Sequence, residues 1–503
     1  MDRHRHIRTI LSFGFLTLYA GFYAAACGPD PDPSPTGGTP VTGACVPSSA
    51  SGPVASSCGV FASSSLGSDD NAGSKDKPVQ TLAKAVSLAK SIKKPVYACA
   101  ETFAEAIEIA EGITIFGGLD CAASEWAYVG ATSKTTVSPE ADKVPLTIVA
   151  GEGTARFEDI VARAADATLP SGSSIAAFVN AADVTFTRCE LIAGAGATGA
   201  VGLQPTDDVG PADPNDPAVH GNSGNAACMG GASGNGGGEA KVNAMCSTAV
   251  GGMGGTGQEL AGEDGADGTP LPDPNPESFG VGGIGSTGIG NCKTGQSGAS
   301  GTDGLPGAGA SADELGTIDV ETGYVGATGK QGTQGTPGQG GGGGGGAKGK
   351  PACFGASGGS GGAGGCGGNG GLGGKGGGSS FAVLSINGTL KFTDSTLTSS
   401  AGGKGGDGGI GQAGGAGGTG GKGGAGTTGT NPACDGGLGG QGGPGGMGGG
   451  GRGGHSAVIA YKGAAPELAG ATPTIGAAGP GGTGADAAST GAEGVASNVI
   501  EFK

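Results

Sequence analysis

The sequence is poor in the side chains that build active sites. Of 503 residues, aromatic residues make up 4% and charged residues 14%, and there are four histidines and one tryptophan. Such a composition offers few groups for a pocket with convergent catalytic side chains. Beyond the N-terminal stretch only His220 and His455 remain, both beside glycine tracts. A histidine-based catalytic triad or a metal centre is therefore not expected, and neither is a bound cofactor.

Basic residues and short cysteine motifs are also scarce. Lys and Arg together number 26 against 43 Asp and Glu, which gives a formal net charge of -17. No basic patch is large enough to follow a phosphate backbone, so nucleic acid is excluded as a partner. The sequence has no C-x-x-C motif, which removes the support for a zinc site or a thioredoxin-like centre.

Short apolar stretches recur at long intervals in what is otherwise a glycine-rich chain. The stretch 174–194 returns 206 residues later from Ser380, and a shorter copy begins at Ser456. Each copy alternates apolar and polar residues and is rich in β-branched side chains, which predicts strands. One copy cannot bury its apolar face alone, but stacked copies can. We therefore expect Phe186 and Phe392 to share one column of stacked strands, with Val184, Phe186 and Leu191 pointing inward.

The segment that follows Gly59 predicts a helix and several strands. Leu82, Ala85, Val86, Ala89 and Ile92 have helical spacing, and Lys93-Lys94-Pro95 end the helix. Strand patterns then cover 96–98, 106–109, 112–116, 146–150, 156–163 and 173–193.

The stretches G-S-D-D-N-A-G-S-K-D-K-P-V-Q-T-L-A-K-A-V, P-V-Y-A-C-A-E-T-F-A-E-A-I and G-I-T-I-F-G-G resemble the N-terminal coil of right-handed parallel β-helix proteins of the pectin-lyase-like class. The resemblance covers about a third of the chain. It implies an all-β fold in which the helix over 81–93 caps the open end of a right-handed parallel β-helix. The long glycine-rich stretches are then insertions, either polyglycine-II-like or disordered.

The glycine tracts have a period of three residues. G-G-x triplets run from Gly358 to Gly377, Gly402 to Gly423 and Gly436 to Gly451, and G-x-y triplets from Gly323 to Gly338. Three residues per turn is the period of a polyproline-II-type helix, and glycine lets such helices approach closely. The tracts resemble the repeats of PGRS-type bacterial surface proteins. A flexible coil is the alternative, since glycine loses the most backbone entropy on ordering. Collagen fits less well, because the G-x-y run is short and poor in proline.

The first 26 residues have the pattern of an export signal. Arg3, Arg5 and Arg8 precede an apolar run over 10–23, and A-A-A-C ends at Cys27. This ending resembles the lipobox of bacterial lipoproteins, although Ala24 stands where Leu is usual. The resemblance implies a lipid on Cys27, and Gly28 after it implies transport to the outer membrane. Ordinary secretion or an uncleaved anchor is the alternative. A Pro-rich spacer follows.

Twelve cysteines in an exported chain predict disulfides. With Cys27 set aside eleven remain, so one thiol is free or pairs between chains. Close spacing suggests the pairs Cys45–Cys58, Cys99–Cys121, Cys228–Cys246 and Cys353–Cys366, although spacing does not fix connectivity.

The sequence contains several possible chemical sites, each with a simpler structural explanation. Glu101, Glu105, Glu108 and Glu111 surround an early strand, and Arg156, Arg163 and Arg188 lie on later ones. Neither set forms the acidic cluster or carboxylate pair of polysaccharide-cleaving enzymes. The G-x-S-x-G match at Ser357 is expected by chance in a glycine tract. The stretch Gly402–Asp407 matches the start of a calcium-binding nonapeptide repeat without its tandem continuation. Asp207, Asp208, Asp213 and Asp216 read as a solvated loop.

These observations predict a non-catalytic, lipid-anchored protein of the outer membrane or cell surface with a structural or adhesive role. Its partners are the membrane lipid and either a polysaccharide or another cell surface. A carbohydrate-active enzyme with an unrecognised site is the alternative, and a phage-receptor or matrix scaffold is a third possibility. The expected organisation is a signal peptide over 1–26, a lipid-anchored Pro/Gly/Ser-rich linker over 27–58, an N-terminal capped β-helix over 59–203, a glycine-rich insertion over 204–378, a β-helix coil over 379–400, a second glycine-rich insertion over 401–454 and C-terminal β-helix coils over 455–503.

Overall fold

The repeated sequence copies pair as neighbouring parallel strands in the computed structural model of the chain. Ser174 pairs with Ser380, which in turn pairs with Ser456. Phe186 pairs with Phe392, so the predicted 206-residue alignment is confirmed. The structure describes residues 45–50, 52–110, 112–122, 125–229, 234–288 and 291–503, which all belong to the unit Gly37–Lys503.

The described chain has one α-helix, one 3-10 turn and many short strands. The helix α1 spans Leu82–Ile92 and the 3-10 turn spans Pro47–Ser49. The strands are β1 Val60–Ala62, β2 Val96–Cys99, β3 Thr102–Phe103, β4 Ile107–Ile109, β5 Thr114–Asp120, β6 Ala127–Tyr128, β7 Thr135–Val137, β8 Leu146–Val149, β9 Ala155–Glu158, β10 Ile160–Arg163, β11 Ser174–Asn180, β12 Asp183–Thr187, β13 Glu190–Ile192, β14 Lys241–Val242, β15 Val250–Gly251, β16 Thr317–Asp319, β17 Gly323–Val325, β18 Ser380–Ile386, β19 Thr389–Thr393, β20 Ser395–Thr398, β21 Ser456–Lys462, β22 Ala471–Thr474 and β23 Ala496–Glu501.

Most strands belong to three parallel sheets. Their orders are β1-β2-β5-β9-β12-β19, β3-β7-β10-β13-β20-β22 and β4-β8-β11-β18-β21-β23, and β6 pairs antiparallel with β5. Two antiparallel pairs, β14-β15 and β16-β17, stand apart. Successive stretches of chain thus supply strands to each of the three sheets in turn.

Apolar columns form the core of these sheets. Phe157, Phe186 and Phe392 stack with ring centroids 5.3 and 5.7 Å apart. Val184, Phe186 and Leu191 are at most 1% exposed, which confirms that they point inward. Parallel pairing places equivalent side chains above one another, so one aromatic per copy gives a continuous stack.

The helix α1 begins and ends close to where the sequence predicts. The hydroxyl of Thr81 accepts the Lys84 N–H at 3.1 Å, and the Glu105 carboxylate accepts the Leu82 and Ala83 N–H groups at 2.7 and 3.1 Å. These contacts satisfy N–H groups that the first turn leaves without helical partners. Lys93 ends the helix in the left-handed conformation.

The predicted fold class is corrected by the structure. A right-handed parallel β-helix with an N-terminal capping helix was expected, whereas the strands lie in three separate parallel sheets and two small antiparallel pairs. Within the described residues the only α-helix is the eleven-residue α1. So little helix argues against the capping role. The prediction failed because strand patterns identify strands but not the way in which sheets are arranged.

The glycine tracts are ordered, and their hydrogen bonds repeat every three residues. Gly362, Gly365, Gly368 and Gly371 donate to the carbonyls of Gly437, Gly440, Gly443 and Gly446, at 2.9 to 3.0 Å. Antiparallel neighbours follow the same rule, for example Gly335 to Gly368 and Gly338 to Gly365. A bond at each third residue is the geometry of helices with three residues per turn that lie side by side.

The run of seven glycines from Gly340 to Gly346 shows why glycine is required. Its N–H groups donate to three neighbouring segments. The acceptors are the carbonyls of Thr269, Ala266 and Glu263 in the first, Gly362 and Gly359 in the second, and Gln296 and Lys293 in the third. An added Cβ would lie 1.9 to 2.3 Å from carbonyl oxygens of three further segments, among them those of Val250, Val281 and Gly437. With six neighbours around it, this segment has no direction left for a side chain. Two glycines in three are enough where one side is open.

Gly343→Ala is expected to destabilise the protein by about 3 kcal/mol or more, because its Cβ would lie 1.9 Å from the Met253 carbonyl oxygen. Gly236→Ala is the matched control, since no atom lies within 4 Å of the corresponding Cβ. Urea unfolding of both variants measures the difference. Equal midpoints for the two variants would contradict this packing.

Candidate functional site

The glycine tracts that lie side by side, among them 335–346, 358–377, 402–423 and 436–451, form what we call the glycine bundle. The positions at which its segments carry outward side chains depend on where the neighbouring segments end. In the 433–455 segment one triplet position is Leu438, Gln441, Pro444 and Met447, and then becomes Gly450 and Gly453. The change to glycine coincides with the arrival of the 488–495 segment, because Gly450 and Gly453 donate to Ser489 and Ala492 there. At this triplet position of the 433–455 segment, side chains therefore project only where no neighbour packs.

Five disulfides are present in the described residues. Cys45–Cys58 and Cys99–Cys121 match the predicted pairs. The predicted pairs Cys228–Cys246 and Cys353–Cys366 are wrong. The structure instead pairs Cys228 with Cys353, Cys246 with Cys366 and Cys292 with Cys434. These three bridges join glycine segments 120 to 142 residues apart, since packing brings distant segments together.

Two further cysteines do not take part in these bridges. Cys189 is the free cysteine, and burial raises the pKa of its thiol to about 12. Its sulfur lies 3.3 Å from the Phe157 carbonyl oxygen within the sheet core. It is therefore neither exposed nor reactive. The predicted lipidation residue, Cys27, lies outside the described residues.

The arginines considered for catalysis are exposed or form a structural ion pair. Arg188 binds Asp159 at 2.7 and 3.0 Å and Glu158 at 2.9 Å. The hydrogen bond to Asp159 and the other contacts raise the pKa of Arg188 further above its ordinary value. Arg188 has a positive φ of 54°, so the pair holds a tight turn after β12. Arg156 is exposed on β9.

The glutamates near α1 bind backbone and hydroxyl groups. Glu101 accepts from the Ser63, Ser64 and Ser65 hydroxyls and from the Ser65 N–H. Burial alone would raise the pKa of Glu101, but these hydrogen bonds outweigh it and lower the pKa. Glu105 caps α1, and there burial raises the pKa. Glu108 is exposed on β4, and Glu111 lies outside the described residues.

The remaining polar motifs are also engaged in the packing of the chain. Ser357, the centre of the G-x-S-x-G match, is fully buried and accepts the Asn225 N–H at 2.7 Å. The Asp407 carboxylate binds Lys404 at 2.7 Å and the Thr483 N–H at 2.7 Å, which leaves it paired with a cation. His220 contacts the Thr419 hydroxyl at 2.5 Å.

The aspartates of the 204–218 loop do not form a metal site. Asp208, Asp213 and Asp216 each accept the N–H of the residue two positions later, as in ordinary polar turns. Asp207 contacts the Asn369 side chain at 3.4 Å. In the described part of the chain, no three His, Cys, Asp or Glu side chains are positioned to bind one metal ion.

Two open clefts contain no catalytic arrangement of side chains. A cleft of about 620 Å³ lies between Leu315, Val325 and Phe502 and is rimmed by charged residues. Two of these, Glu314 and Lys330, are paired at 3.3 Å. A second cleft of about 300 Å³ lies over the Cys99–Cys121 bridge. Among the residues that line them, neither cleft joins a nucleophile to a general base.

The sequence reasoning missed the buried pair Arg452 and His455, which are 2% and 0% exposed. Both lie where the neighbouring 293–310 segment ends. Arg452 donates to the carbonyls of Ser311 and Ala312, and Nε2 of His455 lies 2.8 Å from the Leu315 carbonyl oxygen. The sequence contains a signal for them. Arg452 and His455 occupy a triplet position that is glycine at 437, 440, 443, 446 and 449, so side chains appear where the preceding triplets have none.

His455 is held as a neutral imidazole. Its Nδ1 accepts the Val495 N–H at 2.9 Å, so the proton is on Nε2, which donates to Leu315. Burial lowers the pKa of His455 to about 4, against the opposing effect of the Leu315 bond and with a further decrease from the charge of Arg452.

Lowering the pH from 7 to 4.5 is expected to destabilise the protein through His455. The unfolded histidine binds a proton near pH 6.5 and the folded one only near pH 4, so stability is lost as the pH falls between these values, by up to about 3 kcal/mol. Urea unfolding at several pH values measures the slope, with His455→Gln as the comparison. If the variant keeps the same slope over this range, His455 is not its source.

The comparisons with known proteins give no match: neither a family model, nor a curated protein, nor a solved structure is similar to this chain. Among the described residues, no helix has the length and apolar character needed to cross a membrane.

Proposed function

We propose that this chain is a non-catalytic cell-surface lipoprotein with a structural or adhesive role. The observation that carries the proposal is the glycine bundle, in which backbone contacts form most of the interior and side chains such as Leu438 and Gln441 project outward. In the described part of the chain, the bundle presents broad surfaces, and the clefts found there hold no catalytic arrangement of side chains. Extended surfaces of this kind suit attachment to another large surface better than capture of a small substrate.

The disulfides support a location outside the cytoplasm. Bridges such as Cys292–Cys434 join distant segments, and stable disulfides form in oxidising compartments. The export pattern before Cys27 agrees with this location. A lipid on Cys27 followed by the Pro-rich spacer would hold the folded unit near the outer membrane.

The chemistry of the exterior supports a carbohydrate or another cell surface as the partner. The exposed positions of the bundle include small polar, amide and acidic groups such as Thr302, Gln331 and Asp303, and the chain has a net charge of -17. These groups offer many hydrogen bonds over a wide area. The charge disfavours anionic surfaces that lack bridging cations.

Cys27→Ala is expected to abolish incorporation of a radiolabelled fatty acid and to move the protein from the membrane fraction to the soluble fraction. Cys189→Ala is the control, because that thiol is buried and unpaired in the described structure. Labelling and fractionation in the native host measure both effects. Retained label in Cys27→Ala would exclude Cys27 as the anchor.

Incubation of the exported unit with a panel of neutral and acidic polysaccharides separates adhesion from catalysis. We expect binding to immobilised polymer without release of reducing or unsaturated ends, because no catalytic set of side chains is present among the described residues. Arg156→Ala tests the enzymatic alternative, since Arg156 is exposed on β9. Release of ends that this variant abolishes would overturn the non-catalytic role.

A further inference from the structure

One groove of the glycine bundle is filled along only part of its length. The 476–484 segment lies between the 401–426 and 433–455 segments. Gly402, Gly405 and Gly408 donate to the carbonyls of Ala477, Pro480 and Thr483, and Gly479 and Gly482 donate to Gly454 and Gly451. The chain then turns away at 485–490, while the two flanking segments continue.

Beyond that turn the hydrogen-bonding groups of the groove have no partner among the residues that the structure describes. The next donors in the series are the N–H groups of Gly411, Gly414, Gly417 and Gly420, and none of them donates within the described chain. All four residues are half-buried. The series stops at Gly423, whose N–H is taken by the Asp435 carboxylate at 2.8 Å.

The opposite wall offers acceptors at the same spacing. The carbonyls of Gly448, Gly445, Gly442 and Gly439 continue the series that begins with Gly454 and Gly451, and no described group donates to them. One turn of a three-residue helix advances about 9 Å, so both walls repeat at that interval. Backbone donors and acceptors at half-buried positions require partners, from water or from a ligand.

The packing of the 476–484 segment defines what fits. An added Cβ on Gly479 or Gly482 would lie 2.0 or 1.9 Å from the carbonyl oxygens of Gly403 and Gly406. The occupant must therefore have glycine at every third residue, with an N–H there and a free carbonyl on the next residue. It must also be extended with three residues per turn. A polysaccharide has no such alternation of amide donors and carbonyl acceptors.

We infer that this groove, between residues 411–420 and 439–445, binds a glycine-repeat segment of another polypeptide chain. The segment adds to the bundle as an edge strand adds to a sheet, by main-chain hydrogen bonds. It runs in the same direction as the 401–426 segment, as residues 476–484 do. This site goes beyond the surface role proposed above and does not depend on the lipid anchor.

A synthetic peptide with the sequence G-A-A-G-P-G-G-T-G of residues 476–484, written twice and labelled with a fluorophore, tests the inference by anisotropy with the intact exported chain. The matched control peptide carries alanine at every third position, in place of the glycine that begins each triplet. We expect saturable binding of the first peptide and binding weaker by about tenfold or more for the second, because its methyl groups meet carbonyl oxygens. Equal binding of both peptides, or no binding of the first, would overturn the site.

A protein variant locates the binding. Every third residue from Asp407 onward forms a ridge beside the groove, and the Asp407 carboxylate on it accepts the Thr483 N–H. Ala413 is exposed and occupies the same triplet position two turns later. Ala413→Trp is therefore expected to weaken peptide binding by about tenfold or more. Ala425→Trp, on the same ridge beyond Gly423, is the matched control and keeps the affinity. Hydrogen exchange measured by mass spectrometry should slow over residues 409–421 when peptide is added. Binding that Ala413→Trp leaves unchanged and that does not slow exchange there would place the peptide elsewhere.

Discussion

The close approach of backbones in the glycine bundle is the constraint on which most of the structure depends. A Cβ on almost any tract glycine would come within about 2 Å of a carbonyl oxygen of a neighbouring segment, as at Gly358 and Gly361. The loss of side chains is compensated by hydrogen bonds at every third residue and by dense backbone contacts. Ordering glycine is entropically costly. Disulfides such as Cys246–Cys366 reduce that cost by restricting the unfolded chain.

The parallel sheets supply the apolar core that the bundle lacks. Phe157, Phe186 and Phe392 form one aromatic column, and β18 and β21 are almost entirely buried. The glycine segments leave the sheets and return to them, since β13 precedes the first tract and β18 follows it. The registers Ser174–Ser380 and Ser380–Ser456 thus fix where each tract starts and ends. The parallel sheets are specified by their apolar side chains, and the glycine bundle by the absence of side chains.

Sequence reasoning succeeded where the signal was local or repeated. The 206-residue repeat identified the pairing of Phe186 with Phe392, and helical spacing located α1. It failed where tertiary packing decides. The fold class depends on how the sheets are arranged, and the strand patterns of the sequence do not predict that arrangement. Cys228 pairs with Cys353 across 125 residues because two glycine segments lie side by side, whereas the nearby Cys246 was the choice that spacing favoured. Arg452 and His455 were missed because their role depends on where another segment ends.

Most triplet positions in the tracts are glycine where a neighbouring segment packs against them and carry a side chain where none does. The residues Gly340–Gly346 are all glycine because six neighbouring segments surround them. The change from Met447 to Gly450 marks the arrival of the 488–495 segment, and Arg452 fills the space beyond Ala310. The same rule explains the open groove. Gly411, Gly414, Gly417 and Gly420 remain glycine because a Cβ on the first three would meet the Gly445, Gly442 and Gly439 carbonyl oxygens, and on Gly420 that of Gly436. These glycines are therefore required by packing against the 433–455 segment alone. Their N–H groups point into the groove, which the 476–484 segment occupies only as far as Thr483.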